Sequence, residues 1–132
     1  RRSSPQASAL MITMLTLLVG AAGAATRFLV DAEVKRRWPT TFPWATFGIN
    51  VTGSLLLGIL AGAVLFHDQP SAWQTVVGTG FCGGYTTFST ASFETVRLVQ
   101  QNARGRALLN ALGSLIASVA ACAGGLALVW IL

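Results

Sequence analysis

Polar side chains recur within segments of this chain that are otherwise apolar. Asn110, Ser114, Ser118 and Cys122 are spaced four residues apart, so they form a stripe along one face of a helix. The other polar positions in such segments are Asn50, Thr86, Thr87, Ser89, Thr90 and Ser92. Hydroxyl groups, amide N–H groups and the positive edge of an aromatic ring all favour an anion, whereas buried carboxylates are nearly absent. The pattern predicts a path for an anion.

Two ionisable residues, Arg27 and Glu94, lie close to this predicted path. Each is compatible with a role in the path. Each is also compatible with a charge at the membrane boundary whose side chain extends to water. The hydroxyls have a second interpretation as well, because a single Ser or Thr in a membrane helix usually bonds the carbonyl four residues earlier. A row of hydroxyls opposite an amide favours the interpretation that these hydroxyls line an anion path.

The elements that must position these residues are apolar helices. The chain has 132 residues, of which 53% are hydrophobic and 10% charged, and its mean hydropathy is +0.63. Soluble domains have about 25% charged residues. Four uncharged intervals each exceed the roughly 20 residues that a helix needs to cross a bilayer. They are Ser3 to Thr26, Trp38 to His67, Gln69 to Phe93 and Ala107 to Leu132.

The sequence therefore predicts an all-α integral membrane four-helix bundle. Residues 1–132 form one domain, with spans at about 10–30, 44–66, 72–100 and 107–131. Glycines and hydroxyls crowd the middle of the third span, between Gly80 and Thr90, which predicts a broken helix shielded from lipid by protein or a polar cavity. Small residues at helical spacing predict close packing of helices: Gly58 with Gly62, Gly80 with Gly84, and Ala117 with Ala121 and Gly124.

Several other classes of protein and site are disfavoured. Gly78 to Gly83 match G-x-G-x-x-G, but no acidic residue follows about 20 positions later, as a dinucleotide site requires. Two cysteines and one histidine make no credible metal site, and no nucleophile with a base can be assembled, so we do not expect an enzyme. The basic residues border the spans, which favours lipid headgroups over nucleic acid.

The amino terminus also imitates a cleaved signal peptide, with Arg1 and Arg2 ahead of an apolar run and Ala22-Gly23-Ala24 behind it. The same small residues suit a helix face that packs closely on its neighbours. The interpretation as a retained span is preferred.

The residues above resemble those of the Fluc fluoride channels, also called CrcB proteins. The third-span motif, Gly80-Phe81-Cys82-Gly83-Gly84-Tyr85-Thr86-Thr87-Phe88-Ser89-Thr90, carries most of the resemblance. It is joined by Gly23 to Arg27, by Asn50 to Ser54, by Glu94 and by the fourth-span serines. The resemblance implies an antiparallel dimer with two pores in the cell membrane, which passes fluoride out of the cytoplasm passively and lowers its toxicity.

The resemblance also implies roles for individual residues. Asn50 would donate to fluoride, Phe88 would present its ring edge, and Ser114 with Ser118 would form a polar track. Glu94 matches a carboxylate at the pore vestibule, and Arg27 matches the arginine of the first span. A structural sodium ion at the dimer interface would be held by the main-chain carbonyls of Gly83 and Thr86 from each subunit.

The chain departs from the family pattern at two positions. Ala91 stands where a second phenylalanine is usual, and Asn110 stands where a tyrosine normally heads the polar track. One or both pores of a homodimer would then be incomplete. The partner expected from the sequence is a second copy of the chain or an oppositely oriented homologous subunit that supplies the missing groups.

The distribution of positive charge predicts one preferred orientation. Seven basic residues fall in the first and third connections and their flanks, namely Arg27, Lys35, Arg36, Arg37, Arg97, Arg104 and Arg106, whereas only Arg1 and Arg2 lie on the opposite side. Because Lys and Arg favour the cytoplasmic side, we expect these two connections inside and both termini outside.

Two further functions were weighed. A small proton-coupled multidrug transporter has similar size, but its chemistry needs a carboxylate deep in the first span, and residues 3–26 contain none. A non-transporting subunit of a larger membrane complex would need only the small-residue faces. It would leave the row of hydroxyls unexplained.

Overall fold

A computed structural model describes residues 4–132, and Arg1 and Arg2 lie outside the described residues. Helix α1 runs from Pro5 to Arg37, and the hydroxyl of Ser4 caps it by accepting a hydrogen bond from the backbone N–H of Ala7. Its last turn carries Lys35, Arg36 and Arg37, whose charges oppose the partial negative charge at the helix C-terminus. Arg36 and Arg37 also form ion pairs with Glu33 on the same helix.

Helix α2 runs from Trp44 to Phe66 and is followed by a short loop. Residues 71–100 then form several helical segments. Helix α3 (Ser71–Trp73) continues as a π-helix, π1 (Gln74–Cys82), and as α4 (Gly83–Tyr85). Thr86 and Thr87 have extended backbone, and α5 begins at Phe88 and ends at Gln100. Two non-helical residues therefore separate α4 from α5.

The last part of the chain is one continuous helical run. It consists of α6 (Arg104–Leu108), a second π-helical stretch π2 (Leu109–Gly113), and α7 (Ser114–Ile131). Within residues 4–132 every regular element is helical, so the prediction of an all-α chain is confirmed for this range.

Glycines bring the helices together in two pairs. Helix α2 packs on α7, and a Cβ atom added at Gly58 would meet the backbone of Cys122. Helix α1 packs on π1, and a Cβ atom at Gly80 would lie 2.8 Å from the carbonyl oxygen of Thr16. Such close approach lets backbones gain van der Waals contact where lipid supplies no hydrophobic driving force.

The prediction that Gly124 belongs to a packed face was wrong. A Cβ atom at Gly124 would meet nothing within 4 Å, whereas one at Gly125 would lie 2.5 Å from the Leu55 carbonyl oxygen. Neighbouring residues on a helix point about 100° apart, so only one of the two glycines can face α2. Gly125 is the one that does.

Three helical runs are long and apolar enough to cross a membrane: Pro5–Arg37, Trp44–Phe66 and Arg104–Ile131. Large apolar side chains along them are exposed, among them Leu17, Leu18 and Ile116. The chain is therefore a multi-pass membrane protein. Residues 71–100 are divided into shorter helices, so a further span there remains a prediction.

Candidate functional site

A cleft of about 730 Å³ opens between α2, π1, α4, α5, π2 and α7. Most of the residues predicted for the anion path or the sodium site line this cleft, namely Asn50, Gly83, Thr86, Phe88, Asn110, Ser114 and Ser118. Phe88 stands at the start of α5 with 87% of its surface exposed. Residues far apart in the chain are thus gathered along one concavity.

Asn50 holds the two-residue interruption between α4 and α5 in place. Its Nδ2 atom donates to the carbonyl oxygen of Thr87 at 2.9 Å, and its Oδ1 atom accepts from the Thr87 backbone N–H at 2.8 Å. Thr87 is buried, so both backbone groups would otherwise lose a partner at a cost of about 1–3 kcal/mol each. An amide suits this position because one side chain supplies both a donor and an acceptor.

The same interruption frees carbonyl groups at the end of α4, among them those of Gly83 and Thr86. In a continuous helix the Thr87 N–H would bond the Gly83 carbonyl, but here it donates to Asn50. The Thr90 N–H would likewise bond the Thr86 carbonyl, but it donates to the Thr87 hydroxyl at 3.2 Å, which caps α5. Gly83 and Thr86 are the two residues whose carbonyls were predicted to hold sodium.

The hydroxyls of Ser114 and Ser118 differ from most others in the helices. Thr13, Thr16 and Thr26 each bond the carbonyl four residues earlier, at 2.7 to 2.9 Å. Neither Ser114 nor Ser118 bonds any residue that the structure describes, although both line the cleft. Their hydrogens are therefore available to a group inside the cleft.

Two further hydroxyl residues of the cleft are not predicted by the sequence pattern. Ser54 and Thr79 also line the cleft, and neither bonds another residue of the range 4–132. Ser54 follows Asn50 by four residues on α2, so the same helical spacing that grouped the fourth-span residues identifies it. Thr79 lies in π1, whose wider turn changes which residues share a face.

Asn110 lines the cleft but has no hydrogen to offer it. Its Nδ2 atom donates to the Thr95 hydroxyl at 2.8 Å and to the Ala91 carbonyl at 3.3 Å. The Thr95 hydroxyl donates its own hydrogen to the Ala91 carbonyl, so both oxygen atoms act as acceptors toward Asn110. The Nδ2 atom of Asn110, and not its Oδ1 atom, must therefore face them. The Oδ1 atom of Asn110 is buried without a partner in the described chain. The two positions that depart from the family pattern, 91 and 110, thus contact each other.

Glu94 and Arg27 lie outside the cleft. Glu94 lines a second, smaller cavity, where its Oε1 atom is 3.9 Å from the Lys35 Nζ atom. Ala91 and Thr95 of α5 line the cleft, whereas Glu94 of the same helix lines only the smaller cavity. Arg27 is half-buried on α1 and makes no hydrogen bond or ion pair within residues 4–132. The structure does not bring these two residues into the cleft with the other predicted site residues, and their roles at the path stay predictions.

The fold and the cleft define an all-helical membrane protein with a largely apolar cleft among its helices that carries several uncharged polar side chains. Residues 14–126 match the family described as CrcB-like protein, Camphor Resistance (CrcB). The chain belongs to this family.

Curated relatives cover nearly the whole chain. A protein of Leifsonia xyli subsp. xyli named fluoride-specific ion channel FluC 1 is 42% identical over 116 residues, which are 88% of this chain and 85% of the relative. A FluC 1 of Frankia casuarinae is 46% identical over 87% of this chain and 93% of its own length. A FluC 2 of Cutibacterium acnes is 46% identical over 89% of this chain and 97% of its own length.

Proposed function

We propose that this protein is a subunit of a fluoride channel through which fluoride leaves the cytoplasm down its gradient. The relatives in Leifsonia, Frankia and Cutibacterium are named fluoride-specific ion channels. The observation that carries the proposal is the cleft, where the hydroxyls of Ser114 and Ser118 have no partner among the described residues. Fluoride needs several moderate donors in sequence, because each contact must be weak enough to release the ion.

In this proposal residues 71–100 form a fourth membrane span that is interrupted at Thr86 and Thr87. Non-helical backbone is tolerated at membrane depth only where protein or a polar cavity surrounds it. Asn50 satisfies Thr87 from one side, and the cleft borders the other. Asn50 also retains a second Nδ2 hydrogen with no acceptor among residues 4–132, and this hydrogen is the donor assigned to fluoride.

The carbonyls of Gly83 and Thr86 are proposed to hold a sodium ion. Hard cations prefer oxygen ligands, and both carbonyls lose their usual helical partner at the interruption. A Cβ atom at Gly83 would meet nothing within 4 Å, so its backbone is open to a neighbour. Sodium would supply positive charge to these carbonyls and so stabilise the interruption.

The functional unit is proposed to be an antiparallel dimer with a second copy or with a homologue. Phe88 and Gly83 are exposed on the open side of the cleft, where a partner would close it. The relatives carry the numbers 1 and 2, which fits the use of two different chains. Asn110 offers no free donor and Ala91 no ring, so this subunit needs those groups from its partner.

The alternative of a proton-coupled transporter gains no support from the fold. The carboxylates of α1, Asp31 and Glu33, lie near its basic end, and both are paired with cations of the same helix. Neither lines the cleft. A proton-coupled mechanism would require a titratable group there.

The proposal is tested by fluoride efflux from liposomes, with chloride efflux as the control for selectivity. Liposomes holding this protein with an oppositely oriented homologue should release fluoride and retain chloride. Replacing Phe88 with Ile should slow fluoride release about tenfold, which corresponds to the upper range of an aromatic contact. Phe93→Ile is the matched control, because Phe93 is also exposed but does not line the cleft. Equal fluoride and chloride release, or equal effects of both substitutions, would contradict the proposal.

A further inference from the structure

A second cavity of about 230 Å³ lies at the end of the molecule where α1 ends, α2 begins and α5 ends. Its wall includes the cations Lys35 and Arg97, the indole rings of Trp38 and Trp44, and the amide of Gln101. The cavity is separate from the cleft described above, although Glu94, which the family resemblance assigns to a pore vestibule, forms part of its wall. Its residues combine positive charge, aromatic rings and neutral hydrogen-bond donors.

The positive charge around this cavity is not balanced by acids. Asp31 is 2.8 Å from Lys35, Glu33 pairs with Arg36 and Arg37, and Glu94 is 3.9 Å from Lys35. Three arginines make no ion pair with any described residue, namely Arg97, Arg104 and Arg106. The unpaired charge at this end of the protein is therefore concentrated on α5 and α6.

Two of these arginines are associated with the cavity itself. Arg97 lines it, and Arg106 donates from Nη1 to the hydroxyl of Thr41, another lining residue. Glu94 lines the same cavity and offsets part of this charge, but within residues 4–132 it forms an ion pair with Lys35 and not with Arg97. Its Oε2 atom is enclosed by protein, and its Oε1 atom is close to Lys35. The cavity therefore presents a guanidinium group to whatever enters it.

The aromatic residues locate the cavity relative to the membrane. Trp38 and Trp44 are 62% and 52% exposed; Trp38 directly follows the basic end of α1, and Trp44 is the first residue of α2. Indole rings concentrate at the headgroup level of a bilayer. A ligand in this cavity is thus at the depth of lipid phosphates, and its acyl chains would extend along the exposed apolar surface of the helices.

We propose that this cavity binds the phosphate of an anionic phospholipid headgroup, with Arg97 as the main charged contact and the Trp38 and Trp44 N–H groups as neutral donors. An arginine fork matches the geometry of phosphate oxygens, and basic pockets between membrane helices recognise acidic lipid headgroups. A zwitterionic lipid presents the same phosphate, but it lacks the net negative charge that the three unpaired arginines attract.

The test measures binding of phosphatidylglycerol to the delipidated full chain by native mass spectrometry. Phosphatidylcholine with the same acyl chains is the control lipid, and inorganic phosphate is the control anion. We expect phosphatidylglycerol to bind more tightly than phosphatidylcholine. Arg97→Gln should weaken phosphatidylglycerol binding about fivefold, the effect of one basic residue near an anionic surface.

Arg36→Gln is the matched control variant, because it removes one charge at the same end from a residue that is paired with Glu33 outside the cavity. It should leave binding within about twofold. Arg97→Lys keeps the charge without the fork, so it should bind better than Arg97→Gln if both variants remain folded.

Three results would overturn the proposal. Equal weakening by Arg97→Gln and Arg36→Gln would mean diffuse attraction rather than a site. Equal binding of phosphatidylglycerol and phosphatidylcholine would mean that the net charge of the lipid does not contribute to binding. Displacement of the lipid by millimolar inorganic phosphate would mean that the site binds the free anion. Fluoride flux does not enter any of these measurements, so their outcome is independent of the channel proposal.

Discussion

At the scale of single residues, the chemistry of the cleft depends on which polar groups are already bonded within the protein. Thr86 bonds the Cys82 carbonyl at 2.7 Å, and Thr95 bonds the Ala91 carbonyl at 2.8 Å, so both hydroxyl hydrogens are engaged. Ser114 and Ser118 have no such bond within residues 4–132. Two residue types with the same functional group therefore differ in what they can offer an anion.

We predict that Ser114→Ala combined with Ser118→Ala lowers fluoride efflux without destabilising the protein. Losing two hydrogen bonds from neutral hydroxyls to a charged ion should slow efflux at least about tenfold. The free energy of unfolding in detergent should change by less than about 0.5 kcal/mol, because no bond within the protein is lost. Thr26→Ala is the control, since its hydroxyl bonds only Ala22 on α1. A loss of stability that matches the loss of flux would assign the serines to packing.

The sequence predicted the polar residues of the cleft but not their partners. The position of Asn50 in an apolar span marked it as a polar residue of the path, and the family resemblance implied its role as a donor, yet its bonds to Thr87 join residues 37 positions apart. Asn110 was expected in the path, and the structure shows its amide hydrogens engaged by Thr95 and Ala91. Spacing along one helix identifies a shared face, whereas contacts between helices depend on their relative rotation.

At the scale of elements, two glycine-dependent contacts fix the positions of the helices around the cleft. Helix α2 carries Asn50 and packs on α7, which carries the serines. Helix α1 packs on π1 and α4, which lead into the interruption at Thr86. The width of the cleft thus depends on how closely these backbones approach.

Two adjacent glycines of α7 provide a matched test of this packing. Gly125→Ala should lower the free energy of unfolding by about 1–3 kcal/mol, because the new methyl group would meet the Leu55 carbonyl oxygen and the Ile59 nitrogen. Gly124→Ala should be neutral or stabilise by up to about 1 kcal/mol, since its Cβ meets nothing within 4 Å and alanine favours helix. Unfolding in mixed detergent measures both. Equal effects would contradict the packing of α7 on α2.

The sequence identified small residues at helical spacing, and Gly58 and Gly80 are confirmed as contact points. It favoured Gly124, but it could not distinguish this residue from Gly125. Both glycines have a small residue four positions earlier, and neither has a polar neighbour that would indicate which side faces another helix. The π-helical stretches at 74–82 and 109–113 were not expected either. A wider turn leaves no simple signature in composition.

At the scale of the whole molecule, the asymmetry of positive charge bears on how a dimer can assemble. The basic residues at the C-terminal ends of α1 and α5 and at the start of α6 lie at one end of the structure. Arg1 and Arg2, the basic residues expected on the opposite side, lie outside the described residues. Three of the four predicted spans correspond to helices long and apolar enough to cross a membrane, whereas the identity of a partner is not encoded in one chain.

A chain that forms an antiparallel pair with itself must insert in both orientations, and its charge bias opposes this. Gln69→Cys and Gln100→Cys place single exposed thiols in the second connection and at the end of α5. In intact cells an impermeant maleimide should label Gln69→Cys strongly, and Gln100→Cys only after permeabilisation. Cys82 and Cys122 are buried and half-buried, and the unsubstituted chain measures their background. Equal labelling of both variants in intact cells would show that the chain inserts both ways and needs no second gene product to form an antiparallel dimer.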